Sequence, residues 1–398
     1  MAEREKIDEI LSRGAKEIIV KKHLEDNLRK GKKLRVKFGI DPTSPDLHLG
    51  HSVALRKLRQ FQELGHKVIF LIGDFTARIG DPSGRLEARR PLTEEEVRKN
   101  MADYEKQAAK ILDMKKVEVR YNNEWYGKKR INFLADLTSK FTFARIIERD
   151  DFQKRIKKDI DITLLELIYP LLQGYDSVEL RADLEIGGTD QKFNLLMGRK
   201  VQKKYNQPQQ DIMTVPLLLG TDGSRKMSKS FKNYIGLKEP PDQMFSKIMS
   251  IPDTLIWHYF TLLTNVSIKE IKEMEKEVYN SKLNPRDAKA RLAREIVTMY
   301  HGKEAAKEAE EEFEKVFKRK EIPLKIPTFI VVKKNYLPLD LLFDLKLVSS
   351  KSEAKRLILQ GGVKIDKKVL KDWKKLIEIK DGMIIQVGKR KFAQIKTS

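Results

Sequence analysis

Apolar runs of strand length alternate with longer amphipathic stretches through the first 220 residues, and that alternation leaves few folds open. LRVKFGI (34–40) leads into a helical pattern from His48 to about Leu64. KVIFLIG (67–73) is the next strand-like run, and 93–112 reads as helix. DLEIGG (183–188), a helical stretch from Asp190, and DIMTVPLLLG (211–220) continue the pattern. Strands separated by helices predict a parallel sheet with crossover helices, that is, an α/β, doubly wound, Rossmann-like domain. Between about 121 and 182 the periodicity turns mostly helical, as an insertion between two halves of such a sheet would. The organisation read from this is a nucleotide-binding domain over 1–235 and a helical domain over 236–320. A linker over 321–338 follows, punctuated by Pro323, Pro327 and Pro338, and then a small α+β module over 339–398.

Charge narrows the partners. The chain of 398 residues has 81 Lys and Arg against 58 Asp and Glu, a net charge of +23. Such an excess favours a polyanion, because each neutralised phosphate releases condensed counterions. General solubility, or the charge-rich composition of a thermophile's proteins, would give the same excess. The last 60 residues are denser still, with 15 Lys and Arg against 7 Asp and Glu. With no cysteine in the chain, disulfides and thiolate metal sites are excluded. No run approaches the ~20 apolar residues of a membrane helix. The acidic start, MAEREKIDEI, lacks the apolar core of a secretory signal, so the expected location is the cytoplasm, with no membrane partner.

Two segments have the composition of phosphate chemistry. In DPTSPDLHLGH (41–51), two prolines keep the chain out of helix until His48. His48 and His51 then share one face of a helix N-terminus, where phosphate oxygens are favoured, with Gly50 clearing space between them. The same pair fits plain helix packing, or a metal site that lacks a third ligand in the expected pattern. In GSRKMSKS (223–230), Arg225, Lys226 and Lys229 lie on a serine-rich loop. Flexible ammonium groups there can follow charge developing on a leaving pyrophosphate; a solvated basic turn looks the same.

Taken together, an HxGH element after the first strand and a KMSKS loop after the last strand resemble the paired signature of class I aminoacyl-tRNA synthetases. GDFTARIGDPSGR (73–85), YPLLQGYD (169–176) and GGTDQKFNLLMGR (187–199) narrow the resemblance to bacterial-type tyrosyl-tRNA synthetases. What the resemblance implies is a two-step ligase. Tyrosine and ATP, with Mg²⁺, give tyrosyl-adenylate and pyrophosphate; the tyrosyl group then passes to the 3′-terminal adenosine of tRNA(Tyr). It implies His48, His51, Lys226 and Lys229 as catalytic, with no structural metal. It places Thr43, Gly50, Gly188, Asp190, Arg85, Arg89, Met227 and Ser228 around ATP. Asp41, Thr76, Asp81, Tyr169, Gln173, Asp176 and Gln191 fall to tyrosine, with Asp81, Tyr169 and Gln173 on the ammonium and Asp176 on the phenol. Ammonium needs such acceptors, and a buried phenol needs a definite partner. Read without the resemblance, Tyr169 also fits a helical core face, and Asp176 a local cap. One position departs from the family pattern: Lys37 stands where many members have a tyrosine that shares the phenol. The 339–398 segment resembles a small ribosomal-protein RNA-binding fold, offering Lys351, Lys355, Arg356 and Lys364 to tRNA. A homodimer through the helical insertion is implied as well. The rival readings are a tryptophanyl-tRNA synthetase and a non-catalytic RNA-binding relative.

Overall fold

The computed structural model of the chain describes residues 3–84, 91–318, 327–331, 334–366, 368–388 and 391–397. Six strands form its main sheet: β1 (Glu17–Ile19), β2 (Arg35–Ile40), β3 (Lys67–Ile72), β4 (Val117–Tyr121), β5 (Leu184–Gly188) and β6 (Asp211–Val215). Their order is β1-β6-β5-β2-β3-β4. The ladders from β4 across to β6 are parallel, and β1 closes one edge antiparallel to β6. Central strands are buried on both faces, as parallel sheets require: Val68, Ile69, Phe70 and Ile72 of β3 are fully covered. The chain winds outward from β2 through β3 to β4, then crosses back to β5 on the other flank of β2. Winding therefore reverses between β2 and β5, and the carboxyl ends of those strands open a crevice.

Helix α1 (Leu49–Glu63) leaves the end of β2 with His48 as its N-cap, and buries Leu49, Val53, Leu55, Leu58 and Phe61. Four short helices between Asn123 and Ile156 make up the insertion after β4. They lead to α2 (Leu164–Glu179), started by a capping box between Thr163 and Glu166. Helix α3 (Lys192–Lys204) follows β5. The α2–α3 crossing is set by glycine: a Cβ at Gly174 would sit 2.7 Å from Val201 and 3.3 Å from the Gly198 backbone.

Two elements differ from the expected ones. The helix expected over 93–112 is broken into Glu94–Met101 and Tyr104–Ala108. Tertiary bonds override the local preference, since Asn100, Tyr104 and Gln107 all reach the 42–47 loop. Asn100 donates to the Pro42 carbonyl, the Tyr104 hydroxyl to that of Ser44, and Gln107 bonds both Pro45 and the Leu47 N–H. The run expected over 211–220 stops pairing at Val215 because Pro216 has no N–H for the ladder.

Helices from Pro241 to His301 lie with the sheet in one compact unit, Met1–Ala306, so no compactness boundary falls at 235. Lys307–Ser398 make a second unit. Within it, the stretch expected as a linker over 321–338 contains strands where it is described. β7 (Thr328–Val331) pairs in parallel with the strand Lys391–Thr397, and Asn335–Tyr336 pairs with Ile377–Glu378. Two helices, Pro338–Asp344 and Lys351–Leu359, cover this sheet around Leu341, Leu342, Ile358, Val363 and Ile385. Leu357 and Ile365 pack against that core from partly buried positions.

The α2–α3 crossing yields a stability test. Gly174→Val must either push α3 away or twist Val201, an overpacking that costs about 1–3 kcal/mol. Denaturant unfolding should show a lower midpoint with an unchanged slope.

Candidate active site

A cavity of about 720 Å³ opens over the crevice between β2 and β5. Each residue expected at the amino acid or ATP lines it, apart from Arg85 and Arg89, which lie outside the described residues. The elements explain the convergence: Asp41 follows β2, Thr76 follows β3, Gly188 and Asp190 lie at and just beyond the end of β5, and Tyr169, Gln173 and Asp176 lie along one face of α2.

At one end the carboxylates are held in fixed orientations. Asp41 accepts from the Tyr169 hydroxyl at 3.0 Å and from the Thr76 hydroxyl at 2.8 Å. Gly73 makes this pairing possible, because a Cβ there would lie 2.1 Å from an Asp41 oxygen. Asp81 accepts from Gln191 at 2.7 Å and from the N–H and hydroxyl of Ser83 at 2.9 and 2.6 Å. The Gln173 amide nitrogen faces Glu185, while its Oε1 is buried without a hydrogen-bond partner among the described residues. An acceptor of that kind suits a cation such as an ammonium. Deeper in, Asp176 accepts from the Trp125 indole at 3.1 Å and from Asn122 at 3.4 Å. Burial raises the Asp176 carboxyl to about 7, with the nearby Lys37 opposing the rise.

At the other end the two imidazoles stack, with ring centroids 3.8 Å apart. His48 Nδ1 accepts the Gly50 N–H, and His51 Nδ1 accepts the His48 N–H. Burial, reinforced by Lys229, lowers both groups, His51 to about 4 and His48 well below its usual range. Both rings are therefore neutral at pH 7, and the backbone bonds leave the proton on Nε2. They can offer hydrogen bonds to a phosphate oxygen but not a full charge. Positive charge comes from the 223–230 loop. Lys226 pairs with Asp190 at 2.8 Å, and Lys229 with Asp46 at 2.7 Å. Asn233 pins the loop's backbone, accepting the Ser228 N–H and donating to the Lys226 carbonyl.

Comparison with known proteins gives the family. Residues 29–318 match the family model for class I tRNA synthetases of the tryptophan and tyrosine type, and 339–381 match the S4 domain. The tyrosine–tRNA ligase of Thermotoga maritima is 51% identical over 97% of this chain and 96% of its own length. That of Aquifex aeolicus is 48% identical, with 97% of each chain covered. The chain belongs to the tyrosyl-tRNA synthetase family. Solved structures share the synthetase fold. The C-terminally truncated Aspergillus nidulans mitochondrial tyrosyl-tRNA synthetase aligns at a TM-score of 0.67 and 24% identity, covering 78% of this chain and 94% of that one. The Archaeoglobus fulgidus tyrosyl-tRNA synthetase complexed with L-tyrosine gives 0.62 and 24%, with 77% and 99% covered.

Sequence reasoning missed several residues that this synthetase brings to the site. Asn122 lies one residue beyond β4, at the carboxyl end where such sheets bind ligands, and that position was a usable signal. It bonds both Thr76 and Asp176. Asn194, one helical turn after Gln191, bonds Asp81, Ser83 and Gln191. Nothing local marks Arg149, an insertion residue whose buried guanidinium donates to Ser83 and Asn194. Lys37 lines the cavity too, but its N–H groups are taken by Glu185, Ser177 and the Gln173 carbonyl.

The lowered imidazoles give a pH test. His51 and His66 both titrate near 4 in the fold, held down chiefly by burial, against about 6.5 in an unfolded chain. Between those values the unfolded chain binds more protons at these two groups, so their contribution to stability falls as pH drops from 6.5 toward 4 and is constant below, while the raised Asp176 contributes in the opposite sense. His51→Gln should flatten part of that decline, read as denaturant midpoints at pH 7 and pH 5.

Proposed function

We propose that this tyrosine–tRNA ligase forms tyrosyl-adenylate in the cavity between β2 and β5 and then charges the terminal adenosine of tRNA(Tyr). The supporting observation is that both phosphate-binding elements share one cavity with a set of buried acceptors suited to an ammonium and a phenol. Tyrosine's ammonium goes to Asp81, Gln173 and Tyr169, and its phenol to Asp176. Asp41, Thr76 and Gln191 complete that pocket. ATP enters as its magnesium complex, with adenine and ribose over Gly50, Gly188 and Asp190, and phosphates between His48, His51 and the Lys226–Lys229 loop. Thr43, Met227 and Ser228 line the same end, and Arg85 and Arg89 are assigned to the pyrophosphate from sequence alone.

In the first step the tyrosine carboxylate oxygen bonds to the α-phosphorus, and the bond to the bridging oxygen of pyrophosphate breaks. In the second, a ribose hydroxyl of tRNA attacks the carbonyl carbon and AMP leaves. No side chain acts as a covalent nucleophile. His48 and His51 donate from Nε2 to oxygens that gain charge, and Lys226 and Lys229 follow the departing pyrophosphate. Class I synthetases use ATP, and the S4 module is an RNA-binding domain. Lys351, Lys355, Arg356 and Lys364 of that module are assigned to tRNA phosphates; the first three are exposed on one helix.

A second copy is proposed to seat on the insertion and the adjoining start of α2, where Ile131, Phe143, Ile156 and Leu164 are 50 to 80% exposed. Such side chains are costly to leave in water as a group. Among the described residues no helix is long and apolar enough to cross a membrane. The cytoplasm is the proposed location.

Pyrophosphate exchange run with all twenty amino acids tests the substrate: only tyrosine should drive it at low concentration, and preferential exchange with tryptophan would overturn the assignment. His48→Ala and Lys229→Ala should each lower the activation rate by roughly 10²-fold, with tyrosine affinity nearly unchanged. A parallel loss of binding would indicate a packing role.

Separating the module from the catalytic unit makes a further test. The cut belongs after residue 318, because β7 is part of the C-terminal sheet. The shortened chain should retain tyrosine-dependent exchange, while charging of tRNA falls sharply. Its log affinity for tRNA should depend less steeply on log salt, by about 0.9 for each phosphate that is no longer neutralised. An unchanged slope and charging rate would remove the module from tRNA binding.

A further inference from the structure

Beneath the amino-acid end of the cavity lies a buried ion pair that the proposed chemistry does not use. Lys37 of β2 and Glu185 of β5 are 0% and 1% exposed, and their charged atoms are 2.9 Å apart. Burying two charges in a sheet interior is unfavourable unless their donors and acceptors are satisfied. Here they are. The three N–H groups of Lys37 go to Glu185 Oε1, the Ser177 hydroxyl at 2.9 Å and the Gln173 carbonyl at 3.1 Å. Glu185 Oε2 accepts from Ser177 and Gln210, and its Oε1 accepts from Lys37 and from Gln173 Nε2 at 3.3 Å.

This network decides a question that amide geometry alone leaves open. A glutamine side chain can present either its nitrogen or its oxygen to a cavity, and the two faces have nearly the same shape. An ionised Glu185 can only accept, so the Gln173 nitrogen must turn toward it. Gln173 Oε1 is then turned away from Glu185, buried and without a partner among the described residues. Lys37 sets its ammonium 2.9 Å from Glu185 Oε1 and has no N–H left to give a substrate phenol.

We propose that Lys37 and Glu185 are a positioning pair that locks the Gln173 amide with its oxygen toward the substrate ammonium. The proposal rests on the assignment of Gln173 to that ammonium. It makes discrimination for the ammonium, and not for the phenol, the task of the lysine that stands where relatives have a tyrosine.

The test compares two ligands by calorimetry: L-tyrosine, and 3-(4-hydroxyphenyl)propionate, which has the same phenol and carboxylate but no ammonium. In Glu185→Gln the partner amide can donate or accept, so Gln173 loses its enforced orientation. Affinity for L-tyrosine should fall about tenfold or more, the loss of one hydrogen bond to a charged group, while the propionate shifts less than about twofold. The charge-balanced Lys37→Met, Glu185→Gln double variant should give the same selective loss, and it replaces the single variant if that fails to fold. Equal losses for both ligands, or no loss for either, overturn the positioning pair. Gln173→Ala is the control. If it too weakens both ligands alike, Gln173 does not hold the ammonium, and the assignment falls together with the pair. If Gln173→Ala is selective and Glu185→Gln is not, only the pair is overturned.

Discussion

The site depends on the reversal of winding between β2 and β5. At that point the two central strands send their following segments to opposite flanks, and the carboxyl ends stand over a gap that no crossover helix fills. Asp41 and α1 leave from one side of the gap, while Gly188, Asp190 and α3 leave from the other. Other groups at the site come from α2, which lies against α3 at Gly174, and from the segments after β3, β4 and β6. A chain that wound in one direction only would cover this place with a helix, and the two phosphate-binding elements could not face one cavity.

A gap of that kind must also be made of rigid parts, since buried polar groups tolerate little misalignment. The synthetase meets this with carboxylates fixed by neutral donors. Asp41 has Tyr169 and Thr76, Asp81 has Ser83, Asn194 and Gln191, and Asp176 has Trp125 and Asn122. Neutral donors orient a carboxylate without cancelling its charge, which at Asp41 and Asp81 suits a cationic ligand and at Asp176 leaves an acceptor for a phenol. Glu185, by contrast, is neutralised by a buried lysine, and its task is to hold another side chain in place.

How much of this was legible in the sequence varies by element. Strands β2, β3 and β5 stand out as short, mostly apolar runs between amphipathic stretches, though Lys37 and Glu185 interrupt two of them, and the helix after His48 is marked by the prolines before it. The motif residues at the phosphate end could be collected because each set is contiguous in sequence, within 41–51 and 223–230, in the segments that follow β2 and β6. What could not be read depends on pairings far apart in the chain. The break at Ala102–Asp103 serves the 42–47 loop, about sixty residues upstream, and no local propensity encodes it. Arg149 reaches Ser83 and Asn194 from an insertion whose helical periodicity says nothing of which distant side chains it meets. β7 sits in a proline-flanked stretch that looks like a linker until its parallel partner, more than sixty residues later, is in place. Lys37 read as a departure from a family pattern, while its meaning lay in Glu185, Ser177 and Gln173, none of them near it in sequence.

The loop lysines show how a fixed scaffold can still follow moving charge. Asn233 and the Leu218 carbonyl hold the loop's backbone, the latter by accepting the Met227 N–H at 2.7 Å. The ammonium groups of Lys226 and Lys229 are meanwhile paired with Asp190 and Asp46, at positions only partly screened from water. Pairs of this sort are worth about 0–1 kcal/mol, so exchanging a carboxylate for a phosphate oxygen costs little. A lysine suits such an exchange better than an arginine, because its charge sits on a flexible stem with no fixed fork to realign. Interactions accelerate a reaction only to the extent that they are stronger in the transition state than before it. In the proposed chemistry, lysines that begin on carboxylates gain most when charge builds on the departing pyrophosphate. The carboxylates thus keep binding energy from being spent on the ground state, provided that the backbone carrying the lysines does not move with them.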